Sequence, residues 1–491
     1  MDQTLNSPSG TAALNLRSQM LFLNEPREDP VDLVLSTFAW SYKFLHESNH
    51  WARYHGSSLG VLLTLLRRSR DALASYFLDT LEASERRRLT EQRQSGNRLF
   101  GQPPGAASPL GPNGERLETD WLALHFTYQA LLGRADVLAP AGMPRGGQIW
   151  AIDRALHLTW TNADGRGMLG HAGSHEPHLV STSADGDAAN SSLTMRLLLE
   201  CAAVLDEIYM NTLGSLREVL DGDLWEMTSH AFEGDYGLAY RTAEQLAGRD
   251  LGPDCVLALI DFALNPVVPG LHLGANTVTW DEFHPVRRFT ITARSLAHHR
   301  SQLERSKPTG ETIRAFHAEI EAATGLRMGR VDSELSSATS LSEAAQPAHF
   351  SEIIPNMVLA YAQKLHEERT TIRCSIPFFG SNFVGEGALR LVRPDSWWIE
   401  GNWWLFPPLR VFSGNYGWPI ERINQDEATE LFLGAALSSA LDDIVYGTGP
   451  LTSSHLPGAP LRDEAERMAI NRHLEEFTGL PLGWTSLHVE T

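Results

Sequence analysis

Residues 44–60 read FLHESNHWARYHGSSLG, and within them His46, Glu47 and His50 form the pattern H-E-x-x-H. On a helix, positions i and i+4 share a face, so two imidazoles at that spacing can present ring nitrogens to one ion. A glutamate one step after the first histidine can reach a water at the ion without ligating it. Zinc in such a site lowers the pKa of that water towards ~7. The carboxylate then takes the proton as the oxygen attacks a carbonyl. Residue type and spacing therefore point to His46 and His50 as metal ligands and Glu47 as general base. The chain has 19 histidines, so a plain helix with two surface histidines is the competing explanation.

An open catalytic zinc site needs a third protein ligand. The metzincin extension does not supply it, because the tenth residue past His46 is Gly56 and not histidine. His55 falls one position early and about half a turn from His46 on a continuing helix, which makes it a weak candidate. The other solution, that of gluzincins, takes a glutamate from a second helix. Glu200 in RLLLECAAVLDEIY is the best candidate, since a carboxylate on so apolar a helix is costly unless paired or metal-bound. Cys201, Ala202 and Ala203 beside it are small enough for two helices to approach closely. Glu207 is eligible to orient a ligating histidine. The alternative for Glu200 is a pair with Arg196, four residues earlier.

The stretch HESNHWARYHGSSLG resembles the signature of a poorly characterised group of bacterial zincin-like proteins, in which H-E-x-x-H is followed by a small Ser/Thr pair and a glycine. RLLLECAAVLDE is similar to that group's second helix, and VLALIDFALNPVVPG to an apolar segment ending in a turn. The resemblance spans roughly residues 38–270 and is most specific at the first motif. It implies a metal-dependent, hydrolase-like fold with His46, His50 and Glu200 as ligands and Glu47 as base.

The elements that must position these residues follow from periodicity. Residues 32–79 read as helical, with breaks at Gly56 and Gly60. Leu193 to Leu220 reads as an amphipathic helix capped by Ser191 or Ser192. Val256 to Leu264 is apolar and ends at Asn265-Pro266. Trp121 to Leu132 reads as a short helix, and Gln148 to Trp160 as a strand or hairpin. The expected fold class is a helix-dominated α+β protein with a zincin-like core. In it the H-E-x-x-H helix packs against a second, ligand-bearing helix. The expected organisation is a disordered tail over 1–12 and a metal-binding domain over 13–304 with a loop excursion at 84–118. A polar linker over 305–347 and an aromatic-rich helical region over 348–491 follow, the latter with helices near 354–366 and 427–446.

Composition narrows the function classes. The 491 residues carry a net charge of −20, which argues against nucleic acid and anionic membrane surfaces as partners. Three lysines (Lys43, Lys307, Lys364) against many arginines read as a compositional bias and not as a function. Cys201, Cys255 and Cys374 are too scattered for a disulfide framework or a zinc–thiolate site. With no leader-like N-terminus and no spanning apolar run, a cytoplasmic setting is expected. Glu47 and His50 also make E-x-x-H, but the chain lacks the second copy that a carboxylate-bridged di-iron site needs. His171, His175 and His178 lie in a polar loop. The aromatic segment from Trp397 to Trp418 reads as core and interface. Tyr209, Tyr240 and His284 are eligible donors to a developing oxyanion.

The expectation is a zinc-dependent hydrolase acting on a peptide or amide bond. A catalytically degenerate zincin scaffold that binds a partner or ligand is the alternative from a different class. A third reading is a non-peptidase metal enzyme of oxygenase type, with Fe2+ or another divalent ion in place of Zn2+.

Overall fold

A computed structural model of the chain describes residues 4–6, 12–15, 20–23, most of 46–94, 111–133, 193–213, 232–267, 280–301, 303–304, 310–329, 409–412 and a few positions between 441 and 476. Helices dominate this part. After the helical residues of the H-E-x-x-H motif come α1 (Ser58–Thr80), α2 (Ala83–Gln94), α3 (Gly111–Leu132) and α4 (Met195–Leu213). They are followed by α5 (Leu238–Ala247), α6 (Pro253–Leu264), α7 (Trp280–Phe283), α8 (Pro285–Ser295) and α9 (Gly310–Thr324).

α6 is central, packing against α1, α4, α5, α8 and α9. Every residue from Cys255 to Leu264 is buried, Asp261 included. A helix apolar on all sides belongs in an interior, where each fully buried Leu, Ile or Phe contributes roughly 1.5–3 kcal/mol. Pro253 at its first turn is pre-set for helix and needs no N–H partner. The far end has carbonyls to satisfy, and Arg288 of α8 supplies the donors. Its buried guanidinium reaches the carbonyls of Phe262 (2.8 Å), Asn265 (3.3 Å), Arg327 (3.1 Å) and Glu282 (3.1 Å).

Asn265, at the C-terminus of α6, also holds the start of α1. Its side-chain amide donates to the Asp261 carbonyl at 2.8 Å, while its Oδ1 accepts from the Ser58 N–H at 3.1 Å. Ser58 Oγ donates to the Pro266 carbonyl at 2.7 Å. One residue earlier, Ser57 N-caps α1 by accepting from Gly60 N, and donates to the Tyr54 carbonyl at 2.9 Å. Gly60 is required by this crossing: a Cβ there would sit 1.6 Å from the Tyr54 oxygen. The Ser-Ser-x-Gly stretch that follows the motif therefore fixes the motif helix against α1 and, through Asn265, against α6.

α4 begins where Thr194 Oγ1 accepts from Leu197 N at 3.2 Å, so the capping role expected of Ser191 or Ser192 falls to Thr194. Leu198 to Asp206 are all buried, as the helix packs on α3, α5, α6 and α8.

Four short strands make one sheet in the order β1 (Thr4–Asn6), β2 (Ala12–Asn15), β3 (Met20–Leu23), β4 (Leu409–Phe412). The first two pairs are antiparallel. β3 and β4 are parallel, with Met20 opposite Leu409 and Leu23 opposite Phe412. Residues 1–12, expected to be a disordered tail, thus contribute β1 and the start of β2. Pairing of β1 with β2, and of Ala12 with Leu23 of β3, outweighs their small, polar composition. The excursion expected over 84–118 is helical at both ends, as α2 and the start of α3. The charged run ASERRRLTEQRQ is rich in helix-forming residues, and Glu85 accepts from the Glu82 N–H at 2.8 Å. The helix expected from Trp121 is the second half of α3.

Helix dominance holds in the described residues, and the elements packed around the motif are helical, so no zincin core is shown. The polar linker expected over 305–347 is not a linker in its described part: α9 (Gly310–Thr324) packs on α6 and α8 through the buried Ile313, Phe316 and Ile320. The hairpin expected at 148–160, the rest of 305–347 past residue 329, the helices near 354–366 and 427–446 apart from Leu441, and the aromatic segment apart from β4 lie outside the described residues. No described helix is long and apolar enough to cross a membrane.

Candidate metal centre

The motif residues His46, Glu47, Asn49, His50, Trp51, Arg53 and Tyr54 are helical and, Arg53 apart, buried. That removes the surface-histidine explanation. Positions 46, 49, 50 and 53 follow the i, i+3, i+4, i+7 rule of one helical face. This face meets α4.

Glu200 stands opposite the two histidines, and all three residues are buried. His46 Nε2 lies 3.2 Å from Glu200 Oε2, His50 Nε2 lies 3.1 Å from the same oxygen, and the two imidazole nitrogens are 3.0 Å apart. The rings meet edge to face, their planes at 87°. Zinc bonds of 2.0–2.1 Å at tetrahedral angles separate their ligand atoms by roughly 3.3 Å. The observed triangle is therefore close to the size that one such ion needs. Among the described residues, no other three His, Cys, Asp or Glu side chains converge in this way.

The surrounding charges prepare the group. Burial lowers the His50 pKa, against the opposing pull of Glu200. Burial alone would raise the Glu200 carboxyl. Attraction to His50 and hydrogen bonds from His46 and His50 outweigh it and bring the group to about 2. Glu200 is thus ionised beside the two histidines, and an ionised carboxylate is the form that ligates metals.

Two further contacts settle how the helices meet. The second oxygen of Glu200, Oε1, lies 3.5 Å from Arg196 Nε, four residues earlier on α4. The expected alternatives for Glu200 thus coexist: one oxygen faces Arg196 and the other faces the histidines. On the same face of the motif helix, Asn49 donates to Asp206 Oδ2, and Arg53 reaches that oxygen at 2.9 Å and Asn49 Oδ1 at 2.8 Å. Sequence reasoning missed Asn49, Arg53 and Asp206. The i, i+3, i+4, i+7 spacing from His46 was the available signal, but it names no partner, and Asp206 lies 157 residues from Asn49.

The other candidates part ways. Tyr240 donates its hydroxyl to the Leu251 carbonyl, and His284 Nε2 lies 2.9 Å from the Ala130 carbonyl, so both are engaged away from the centre. The side chains of Tyr209 and Glu207, and residues His55, His171, His175 and His178, lie outside the described residues. Glu47 is buried next to His46, and its charge is felt at Tyr236, in the 3₁₀ turn Asp235–Gly237 that packs on α4.

Compared with known protein families, with curated proteins and with solved structures, the chain shows no match. The geometry alone bears on function.

Proposed function

We propose that the protein is a metal-dependent hydrolase. In this reading His46, His50 and Glu200 hold a zinc ion and Glu47 is the general base, with a peptide or amide bond as substrate. The observation that carries it is the convergence of three buried ligand atoms within 3.2 Å of one another. A neutral imidazole can donate from Nε2 to the shared Glu200 oxygen, but the two ring nitrogens also face each other at 3.0 Å, and a divalent ion among the three atoms would satisfy all of them at once.

Bound zinc supplies Lewis acidity, acidifying water and polarising a carbonyl. The chain supplies the rest. The Arg196 contact turns the Glu200 carboxylate so that one oxygen faces the histidines. Trp51 and Tyr54, next along the motif helix, are themselves buried, which leaves the centre in a dry surrounding. The Glu47 carboxylate, held on a rigid helix beside His46, takes a proton from the attacking water and returns it to the leaving amine.

Two measurements test this. Purified wild type should hold near-stoichiometric zinc, and His46→Ala should lose it. Glu47→Gln should keep the metal and lose about 10²–10⁴-fold in hydrolysis of a broad peptide library. Metal-free wild type would remove the centre, whereas full activity in Glu47→Gln would remove Glu47 as base. Two histidines and one carboxylate are also the donor set of iron oxygenases. Iron in place of zinc in the purified protein would favour that reading.

A further inference from the structure

We infer that the centre acts on amides whose nitrogen belongs to an amino acid with a free carboxylate, and that Arg196 binds that carboxylate. The inference rests on the metal-centre reading above and names the substrate class which that reading leaves open.

Arg196 joins the buried centre to the surface. Its Nε lies 3.5 Å from Oε1 of the fully buried Glu200, while its own side chain is 42% exposed. The pair is ionic only, since Glu200 Oε1 accepts no hydrogen bond among the described residues, and the Arg196 guanidinium donates none. The arginines that brace the fold behave differently. Arg288 reaches four carbonyls, and Arg249 donates to the carbonyls of Leu296 and His299 and to Glu304. Arg241 donates to the carbonyls of Phe232 and Gly234, and Arg53 to Asn49 and Asp206. A guanidinium is a planar fork of N–H donors that fits a carboxylate through two parallel bonds. In Arg196 that fork stands open to solvent beside a ligand residue of the centre.

Position decides which anion fits. Oε2 of Glu200 faces His46 and His50 at 3.2 and 3.1 Å, and Arg196 faces the other oxygen of the same carboxylate. The guanidinium is therefore about one carboxylate's width from the three converging atoms. An anionic group that meets it must lie close, along the substrate, to the atom held at the centre. In a peptide or an acyl amino acid, the terminal carboxylate on the nitrogen side is that group. Only the amide nitrogen and the α-carbon separate it from the scissile carbonyl carbon.

Charge favours the same ligand once the metal is bound. A divalent ion outweighs the single charge of Glu200, and Arg196 adds a positive charge, so the site stays cationic even with Glu47 ionised. Glu233 and Asp235, beside and on the turn packed on α4, are exposed, and water screens them. Without the metal, the Glu200 carboxylate repels an incoming anion. The loaded protein is thus the form that takes the carboxylate.

Succinate is the probe. Its carbon chain matches the substrate run from carbonyl carbon to carboxyl carbon, so one carboxylate can ligate the metal while the other meets Arg196. Succinamate has the same chain with one charge removed. Visible spectroscopy on full-length protein saturated with cobalt reads the binding of each, and saturation keeps a change in metal affinity out of the ratio. Wild type should bind succinate about tenfold more tightly than succinamate. Arg196→Gln should bring the two within about twofold, and Arg196→Lys, which keeps the charge without the fork, should fall between. Equal affinities in wild type, or a difference undiminished in Arg196→Gln, overturn the role of Arg196 while leaving the centre standing. Wild type that takes up no cobalt overturns the centre, and the carboxylate site with it. Hydrolysis reads the substrate class: N-benzoylglycylphenylalanine should be cleaved with a kcat/KM about tenfold above that of its carboxamide. Equal values overturn the class. Cleavage of neither, with succinate bound, overturns the hydrolase reading and leaves a metal-dependent carboxylate site.

Discussion

Asp206 tests the centre one residue at a time. Its carboxylate joins Asn49 and Arg53 of the motif helix to α4, six residues past Glu200. The Arg53 and Asp206 side chains are 8% and 7% exposed. Removing one partner of so buried a pair leaves a charge that desolvation makes expensive. Asp206→Ala should destabilise the protein by about 3 kcal/mol in denaturant titration. It should also weaken zinc binding in a competition assay, since the face that presents His46 and His50 loses its tie. Unchanged metal affinity would show that the histidines are placed by other contacts. At this scale the buried cluster was legible: His46 and His50 by spacing, and Glu200 by the anomaly of a carboxylate on an apolar helix. The supporting residues were not, because an asparagine and an arginine on a helix look like solvent-facing positions until the second helix is in place.

At the scale of elements, the junction of the motif helix with α1 is the sensitive point. Ser57, Ser58 and Gly60 are small for reasons of contact: one cap, one hydroxyl bond to the Pro266 carbonyl and one backbone crossing. Gly60→Ala forces a methyl against the Tyr54 carbonyl. It should cost about 2–3 kcal/mol and lower zinc affinity with it, both measurable on one purified variant. Stability equal to wild type would mean that the crossing can open without harm. Sequence reading placed a break at Gly56 and Gly60, which the start of α1 at Ser58 matches in part. It marked Asn265-Pro266 as a turn, yet the turn's second task, holding Ser58, depends on a contact 207 residues long and leaves no local trace. The charged α2 reads from sequence as part of a loop excursion for the opposite reason. High charge looked like solvation, although Arg, Glu and Gln are good helix formers.

At the scale of the whole molecule, buried ionisable groups set an acid limit. His284, enclosed and bonded to the Ala130 carbonyl, is pushed down by burial to about 4 from the ordinary 6.5. His50 is lowered in the same direction. Between pH 6.5 and 4 the unfolded chain binds the proton that folded His284 refuses, so stability is full above 6.5 and falls as pH drops through this window. For His284 alone the loss approaches about 3 kcal/mol. Metal-free protein should show this decline in chemical denaturation, and His284→Gln should flatten it between pH 6.5 and 4. A variant with the wild-type slope would assign the decline to other groups. The helical character of this assembly was legible from periodicity, and the sheet was not. Its strands are three or four residues long, too short for alternation to register, and they exist through pairing with one another.

That sheet carries a consequence for the order in which the protein is made. β3 is complete at Leu23, but its parallel partner begins at Leu409. At a synthesis rate of ~5–20 residues per second, roughly 20–80 s separate the emergence of the two. Throughout that interval one edge of Met20–Leu23 offers unpaired amides and carbonyls, together with the apolar side chains of MLFL. The helices that carry His46, His50 and Glu200 emerge inside the same interval. The nascent chain can bring His46, His50 and Glu200 together while its first strands still wait for their last neighbour.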